Sequence, residues 1–175
     1  MEINWNILNN GIDELKEYTA ETFDMCGNID GQFEIIFDTI GFGYVDTEIP
    51  FGNELLLSWF TILNKAVSEL KKQGYVIFYI PDTPKWLEIQ QKENTLLVSK
   101  LELIGKSADF LITGKNQLSL FNKTSQVDKV EKSEFINCVL SKSKEFISHV
   151  CSINESLKDS ITLKEITDLY NKALG

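Results

Sequence analysis

The stretch between Asn53 and Gly74 constrains the fold of this chain more than any other. From Glu54 to Gln73, Leu56, Trp59, Phe60, Leu63, Ala66, Val67 and Leu70 recur at 3.6-residue spacing, and Leu55, Leu57 and Ile62 widen the stripe. That spacing predicts a helix over 54–73, with Asn53 as N-cap, Glu54 at the positive end of the dipole and Gly74 as the stop. The stripe is too wide for a surface helix, so the helix must lie across a sheet. There each large side chain contributes about 1.5–3 kcal/mol on burial. The segment that follows, Tyr75 to Ile80, is apolar on both faces and bounded by Gly74 and Pro81, which fits a central strand.

On the N-terminal side, Ile3, Trp5 and Ile7 alternate with Glu2, Asn4 and Asn6, a half-buried strand that Asn9-Asn10-Gly11 ends as a turn. Residues 12–22 fit neither period, so a short helix and a ragged strand both remain open. Phe23 and Met25 alternate with acids, and Asp30-Gly31 reads as the turn of a hairpin into the strand of Phe33, Ile35 and Phe37. Gly41 to Val45 continues as a third strand, its glycines permitting a bulge.

Beyond the Pro81–Pro84 loop, Trp86–Gln90 and Thr95–Ile104 pair through Lys92-Glu93-Asn94. Phe110–Thr113 and Gln117–Phe121 form a further hairpin through Gly114-Lys115-Asn116. Asn122 to Asp128 is polar and reads as a linker. Phe135, Ile136, Val139, Leu140, Ile147 and Val150 then mark a helix over 129–153, and a capping box at Thr162–Glu165 opens another over 162–174. These two helices can cover the second face of the sheet or offer a platform to a partner helix. The expected fold is therefore α+β: a mainly antiparallel sheet of about six to eight strands with helix 54–73 packed on it and two C-terminal helices. It is read as a single domain, 1–175, with a sheet-plus-helix core over 1–122 and a helical part over 128–175.

Charge is distributed unevenly. Residues 1–54 hold twelve carboxylates against Lys16, a formal −11, while the rest holds fourteen carboxylates against sixteen lysines, a formal +2; together these make the −9 of the whole chain. There is no arginine, the usual fork for phosphate and bases, and a polyanion does not seek another polyanion, so a nucleic-acid partner is not expected. The N-terminus lacks the basic and apolar regions of a signal peptide, and the longest apolar run, Tyr75 to Pro81, falls far short of the ~20 residues of a membrane span. A cytosolic protein without a membrane partner is expected, with Cys26, Cys138 and Cys151 reduced.

No motif names a reaction. His149 is the sole histidine, and Glu145 one turn before it makes at most half a metal site, so no metal or cofactor is expected. Cys138 and Cys151 sit among apolar neighbours, which leaves Cys26 or His149 to carry any small cysteine-dependent enzyme. Thr113-Gly114-Lys115 lacks the first glycine and the hydroxyl of a phosphate loop. Cys26 to Phe37 imitates a calcium loop, but with cysteine at its first position and Phe37 at its twelfth. No catalytic residue is assigned. The acids of residues 1–54 fit either a solvated face kept negative for solubility or a docking surface; for docking, the candidate contacts are acids on strands and turns, Asp24, Asp30, Glu34, Asp38, Asp46 and Glu48, together with Phe42 and Tyr44 as exposed aromatic anchors.

A small, acidic chain, rich in buried aromatics, with Pro50-Phe51-Gly52 leading into a Leu/Trp-rich helix and no catalytic kit, resembles the immunity proteins that bacteria encode beside polymorphic or contact-dependent toxins. The resemblance implies one cognate toxin domain as partner, in many such systems a basic nuclease, covered by complementary charge. A phage- or sporulation-related structural or adaptor protein is the alternative. The sequence leaves the oligomeric state open.

Overall fold

The computed structural model describes residues 1–81, 83–104, 111–112 and 115–175. The fold is α+β, and its strands divide between two antiparallel sheets. The first sheet has the order β1 (Glu2–Ile7), β2 (Asp30–Ile36) and β3 (Gly41–Tyr44), and a short β4 (Glu54–Leu55) also pairs with β2. The second begins after α3 (Leu56–Gln73). It runs β8-β5-β6-β7-β9, built from β5 (Tyr75–Tyr79), β6 (Lys85–Lys92), β7 (Thr95–Leu103), β8 (Leu111–Ile112) and β9 (Phe121–Glu131). The chain closes with α4 (Lys132–Ile153), a 3₁₀ turn over Glu155–Asp159 and α5 (Ile161–Leu174).

Helix α3 is the hub. Trp59, Phe60, Leu63, Ala66, Val67 and Leu70 are all fully buried, as the width of its stripe requires. Phe33 of β2 stacks on Trp59 at 4.2 Å, Phe146 of α4 stacks on Phe60 at 4.5 Å, and α3 also packs on β5 and α5. Gly74 ends the helix in a left-handed conformation, φ 66°, as predicted. The start differs: β4 takes Glu54, Leu55 stands at the cap without a side-chain bond, and the Glu54 carboxylate instead accepts from the indole N–H of buried Trp59 at 2.6 Å. Strand β5 does bury both faces. Val76 and Phe78 face the helices, while Tyr75 and Ile77 join Trp86, Leu101 and Phe121 in a second apolar cluster with Leu118.

The departures from expectation have local causes. Asn9-Asn10-Gly11 does not turn but opens α1 (Asn9–Glu17), and α2 (Ala20–Cys26) follows, so residues 12–22 are mostly helical. Thr19 and Thr22 cap α2 reciprocally, and Gly27, φ 70°, stops it. Phe23 and Met25 thus share no strand face: Phe23 is fully buried and Met25 is 82% exposed. Asp30-Gly31 is not a hairpin turn but the start of β2, whose antiparallel partner is β1 across the two helices, with Trp5 opposite Phe33.

Gln117–Leu120 is part of a 3₁₀ turn (Lys115–Leu120) rather than a strand, and the expected linker 122–128 lies within β9, paired along β7. An edge strand needs few apolar residues, which is why 122–128 looked unstructured. Of the expected hairpin's first half, Leu111 and Ile112 form β8; Phe110, Thr113 and Gly114 lie outside the described residues. Ser160, not Thr162, caps α5, accepting from the Leu163 N–H at 3.1 Å. Helices α4 and α5 pack on α3 and on each other.

Asp128 of β9 ties the two sheets together. This 4%-exposed carboxylate accepts from the backbone N–H groups of Asp38, Thr39 and Ile40 at 3.0, 2.7 and 2.6 Å and from the Thr39 hydroxyl at 2.5 Å. Burial pushes its carboxyl up, but these bonds outweigh that effect and hold it below the usual carboxylate range.

Candidate functional site

The outer face of the first sheet follows from strand parity. Ile3, Phe33 and Ile35 face the core, so Asp30, Gln32, Glu34 and Ile36 of β2 point the other way, beside Glu2, Asn4 and Asn6 of β1. Over Gln32 runs the loop 45–53. Gln32 is only 1% exposed, and its amide is spent on that loop. Its Nε2 donates to the carbonyls of Asp46, Ile49 and Phe51 at 3.0, 3.1 and 3.0 Å, and its Oε1 accepts from the Asp46 N–H at 3.1 Å. Inside the loop the Asp46 carboxylate accepts from the Glu48 N–H at 2.9 Å, and the Ile49 N–H returns to the Asp46 carbonyl at 3.1 Å. Gly52 sits so close to Gly31 that a Cβ there would meet the Gly31 carbonyl. The loop is therefore seated by backbone contact as well as by hydrogen bonds.

The predicted contact residues fall into three groups. Asp30, Glu34, Asp46 and Glu48 belong to this outer face and loop; Glu34 is half-buried and accepts from Asn4 Nδ2 at 3.1 Å, and the other three are exposed. Asp38 stands apart in the exposed β2–β3 turn that Asp128 holds. Asp24 has a structural use: its two oxygens accept from the N–H groups of Ile161 and Thr162, capping α5, and those bonds lower its pKa. Phe42 is not an exposed anchor. It pairs with Ile35 on the core side, is 8% exposed, and carries the Lys100 ammonium 4.8 Å above its ring. Tyr44 is 42% exposed, and its neighbour is Phe51, which the sequence reading did not single out as a contact and which is 63% exposed. The Tyr44 hydroxyl reaches the Phe51 carbonyl at 3.5 Å.

Among the described residues, only Asp13 of the twelve carboxylates in residues 1–54 has an ion-pair partner, Lys16 at 2.8 Å. The acids are not confined to strands and turns: Asp13, Glu14, Glu17, Glu21 and Asp24 ride on α1 and α2. The other described ion pairs join groups elsewhere, apart from that of the Met1 ammonium with Glu134.

The residues considered for catalysis are dispersed. Cys26 is exposed and donates to the Tyr18 hydroxyl at 3.3 Å, while burial pushes the thiols of Cys138 and Cys151 up, away from the reactive thiolate. His149 is exposed beside the ring of Trp5 at 5.5 Å. Among the described residues no group of three His, Cys, Asp or Glu could hold a metal, and no helix is long and apolar enough to cross a membrane. A cleft of about 330 Å³ between α3 and α5 is lined by Leu57, Thr61 and Lys65 on one side and Thr162, Glu165 and Leu169 on the other, with no nucleophile–base pair in it.

Sequence reasoning missed one buried charge cluster. Glu88 on β6 is 3% exposed; it accepts from the Tyr75 hydroxyl at 2.9 Å and pairs with Lys123 of β9. Burial, and then the bond to Glu88, push the Tyr75 phenol well above its ordinary value. The signal was present: a strand apolar on both faces demands a covered sheet, so a glutamate on the next strand had to be buried and paired.

No protein-family model, no curated protein and no solved structure matches this chain.

Proposed function

We propose that this protein is an inhibitory binding module that neutralises a cationic partner, in the manner of an immunity protein covering its cognate toxin domain. The observation carrying this reading is the uncompensated acid of residues 1–54, where eleven of twelve carboxylates lack an ion-pair partner among the described residues. Folding brings lysines from the rest of the chain against other acids, such as Glu88 and Glu155, but leaves most of this charge exposed, with Asp24, Glu34 and Glu54 half-buried and hydrogen-bonded. Such a field raises encounter rates with a cationic surface, to about 10⁸–10⁹ M⁻¹s⁻¹ at low salt, and weakens as the Debye length shortens. The rigid sheet beneath Asp30, Glu34, Asp46 and Glu48 holds their spacing, so the face selects a partner by shape as well as by sign.

Co-expression tests the proposal. With the toxin domain encoded beside its gene, the wild-type chain restores growth, and the variant with Glu34, Asp38, Asp46 and Glu48 all changed to Lys does not, although circular dichroism finds it folded. Growth arrest that the wild-type chain leaves untouched defeats the proposal.

A further inference from the structure

The loop 45–53 combines two features that solubility alone does not ask for. It is ordered in advance, by the buried amide of Gln32 and the backbone seat of Gly52, and two exposed aromatic residues belong to it or border it: Phe51, 63% exposed, within the loop, and Tyr44, 42% exposed, at the end of β3, with its hydroxyl 3.5 Å from the Phe51 carbonyl. A scattered exposed apolar residue is ordinary. A pair beside a loop already held in one conformation is the arrangement of an interface anchor, because the ordering cost of binding has been met during folding. The same loop carries Asp46 and Glu48, exposed and without ion-pair partners among the described residues. At the adjoining edge of β3 the fold already places an ammonium over an aromatic face, Lys100 above Phe42.

We infer that residues 44–51 are a preformed anchor for a lysine- or arginine-bearing segment of a partner protein. Tyr44 and Phe51 contact the aliphatic stem and the cation, and Asp46 and Glu48 receive the charge. The inference rests on the reading of the protein as a binder of cationic partners, and it commits that reading to one place on the surface. It divides the work of binding: the wider acid sets the rate of encounter, and the aromatic pair sets how long the complex lasts.

The test uses a displayed library of random 12-residue peptides selected on the wild-type protein at low salt. The selected peptides should be rich in lysine or arginine. Phe51→Ala should weaken them at least tenfold through faster dissociation, with the salt dependence unchanged, while Tyr44→Ala acts in the same direction. Asp46→Asn with Glu48→Gln should flatten the salt dependence and slow association. Amide exchange at Asp46 and Ile49 checks that each variant keeps the loop closed. Lysine-rich peptides that bind Phe51→Ala within twofold of wild type overturn the anchor and leave the cationic reading standing. Selected peptides without cations overturn both. Concentration-dependent self-association that Phe51→Ala abolishes assigns the loop to a second copy of this chain and also overturns the inference.

Discussion

Gln32→Met separates the lock from everything it supports. Methionine keeps the unbranched stem on which Gly52 rests, since a Cβ at Gly52 would lie 2.7 Å from Gln32 Cγ, and it removes only the amide. Four hydrogen bonds disappear, three from Nε2 and one to Oε1. At about 1 kcal/mol net for each bond, reduced because water can reach the loop's freed carbonyls, closing the loop loses about 2–3 kcal/mol. With tenfold in an equilibrium for each 1.4 kcal/mol, the open population rises about 30- to 150-fold.

Native-state hydrogen exchange reads this directly. The amides of Asp46, Glu48 and Ile49 are all bonded within the closed loop or to Gln32, and each should exchange faster by about that factor. Amides in β6 and β7, on the other sheet, should keep their protection. Unchanged protection at Asp46 and Ile49 refutes the claim that Gln32 orders the loop. Loss of protection across both sheets refutes the claim that the loop is a local unit. Binding to a partner that needs the closed loop should weaken only by the factor by which the closed fraction falls.

Four further outcomes follow from the same geometry. Asp128→Ala orphans three backbone N–H groups, of which that of Ile40 is buried, and should cost about 3–5 kcal/mol, a fall in Tm of about 6–20 °C by calorimetry. Because the Asp128 carboxyl titrates below its unfolded value of about 3.9, its stabilisation is complete above about pH 5 and lost as pH falls through the folded value; Asp128→Asn should flatten that acid limb of a Tm-against-pH series. Lys123→Met strands the 3%-exposed Glu88 and should cost about 2–4 kcal/mol in urea unfolding, whereas adding Glu88→Gln, which removes the charge but keeps an acceptor for the Tyr75 hydroxyl, should recover most of it; a double variant no better than the single one argues against the pair. Gly43→Ala puts a Cβ against the Phe33 carbonyl at φ 73° and should cost about 2 kcal/mol or more, and an unchanged urea midpoint counts against that close approach.

How far the fold could be read from sequence depended on whether each signal was local. The stripe of α3, the left-handed Gly74 and the two-faced burial of Tyr75–Tyr79 are written in consecutive residues, and all three stand in the structure. The division into two sheets is not written that way. It follows from β2 returning to pair with β1 across α1 and α2, and the apparent alternation at Phe23 and Met25 was too short to tell a strand from one helical turn. The polar residues that fix the architecture find their partners far along the chain. Asp128 reaches residues 38–40, and Asn154 of the C-terminal region donates to the carbonyls of Leu15 and Tyr18.

The candidate site repeats that lesson in one exchange of residues. Phe42 was expected as an exposed anchor, yet its register opposite Ile35 turns it into the core. Phe51, in a Pro-Phe-Gly turn, looked like punctuation before a helix, yet Gln32 holds its carbonyl and leaves its ring in solvent. Acid content could be counted from composition; the aromatic proposed as its anchor could be found only once β2 had a register and the loop a seat. The proposed anchor, as distinct from the reading of the wider acid, therefore turns on Phe51, a residue whose removal leaves the charge of the chain unchanged.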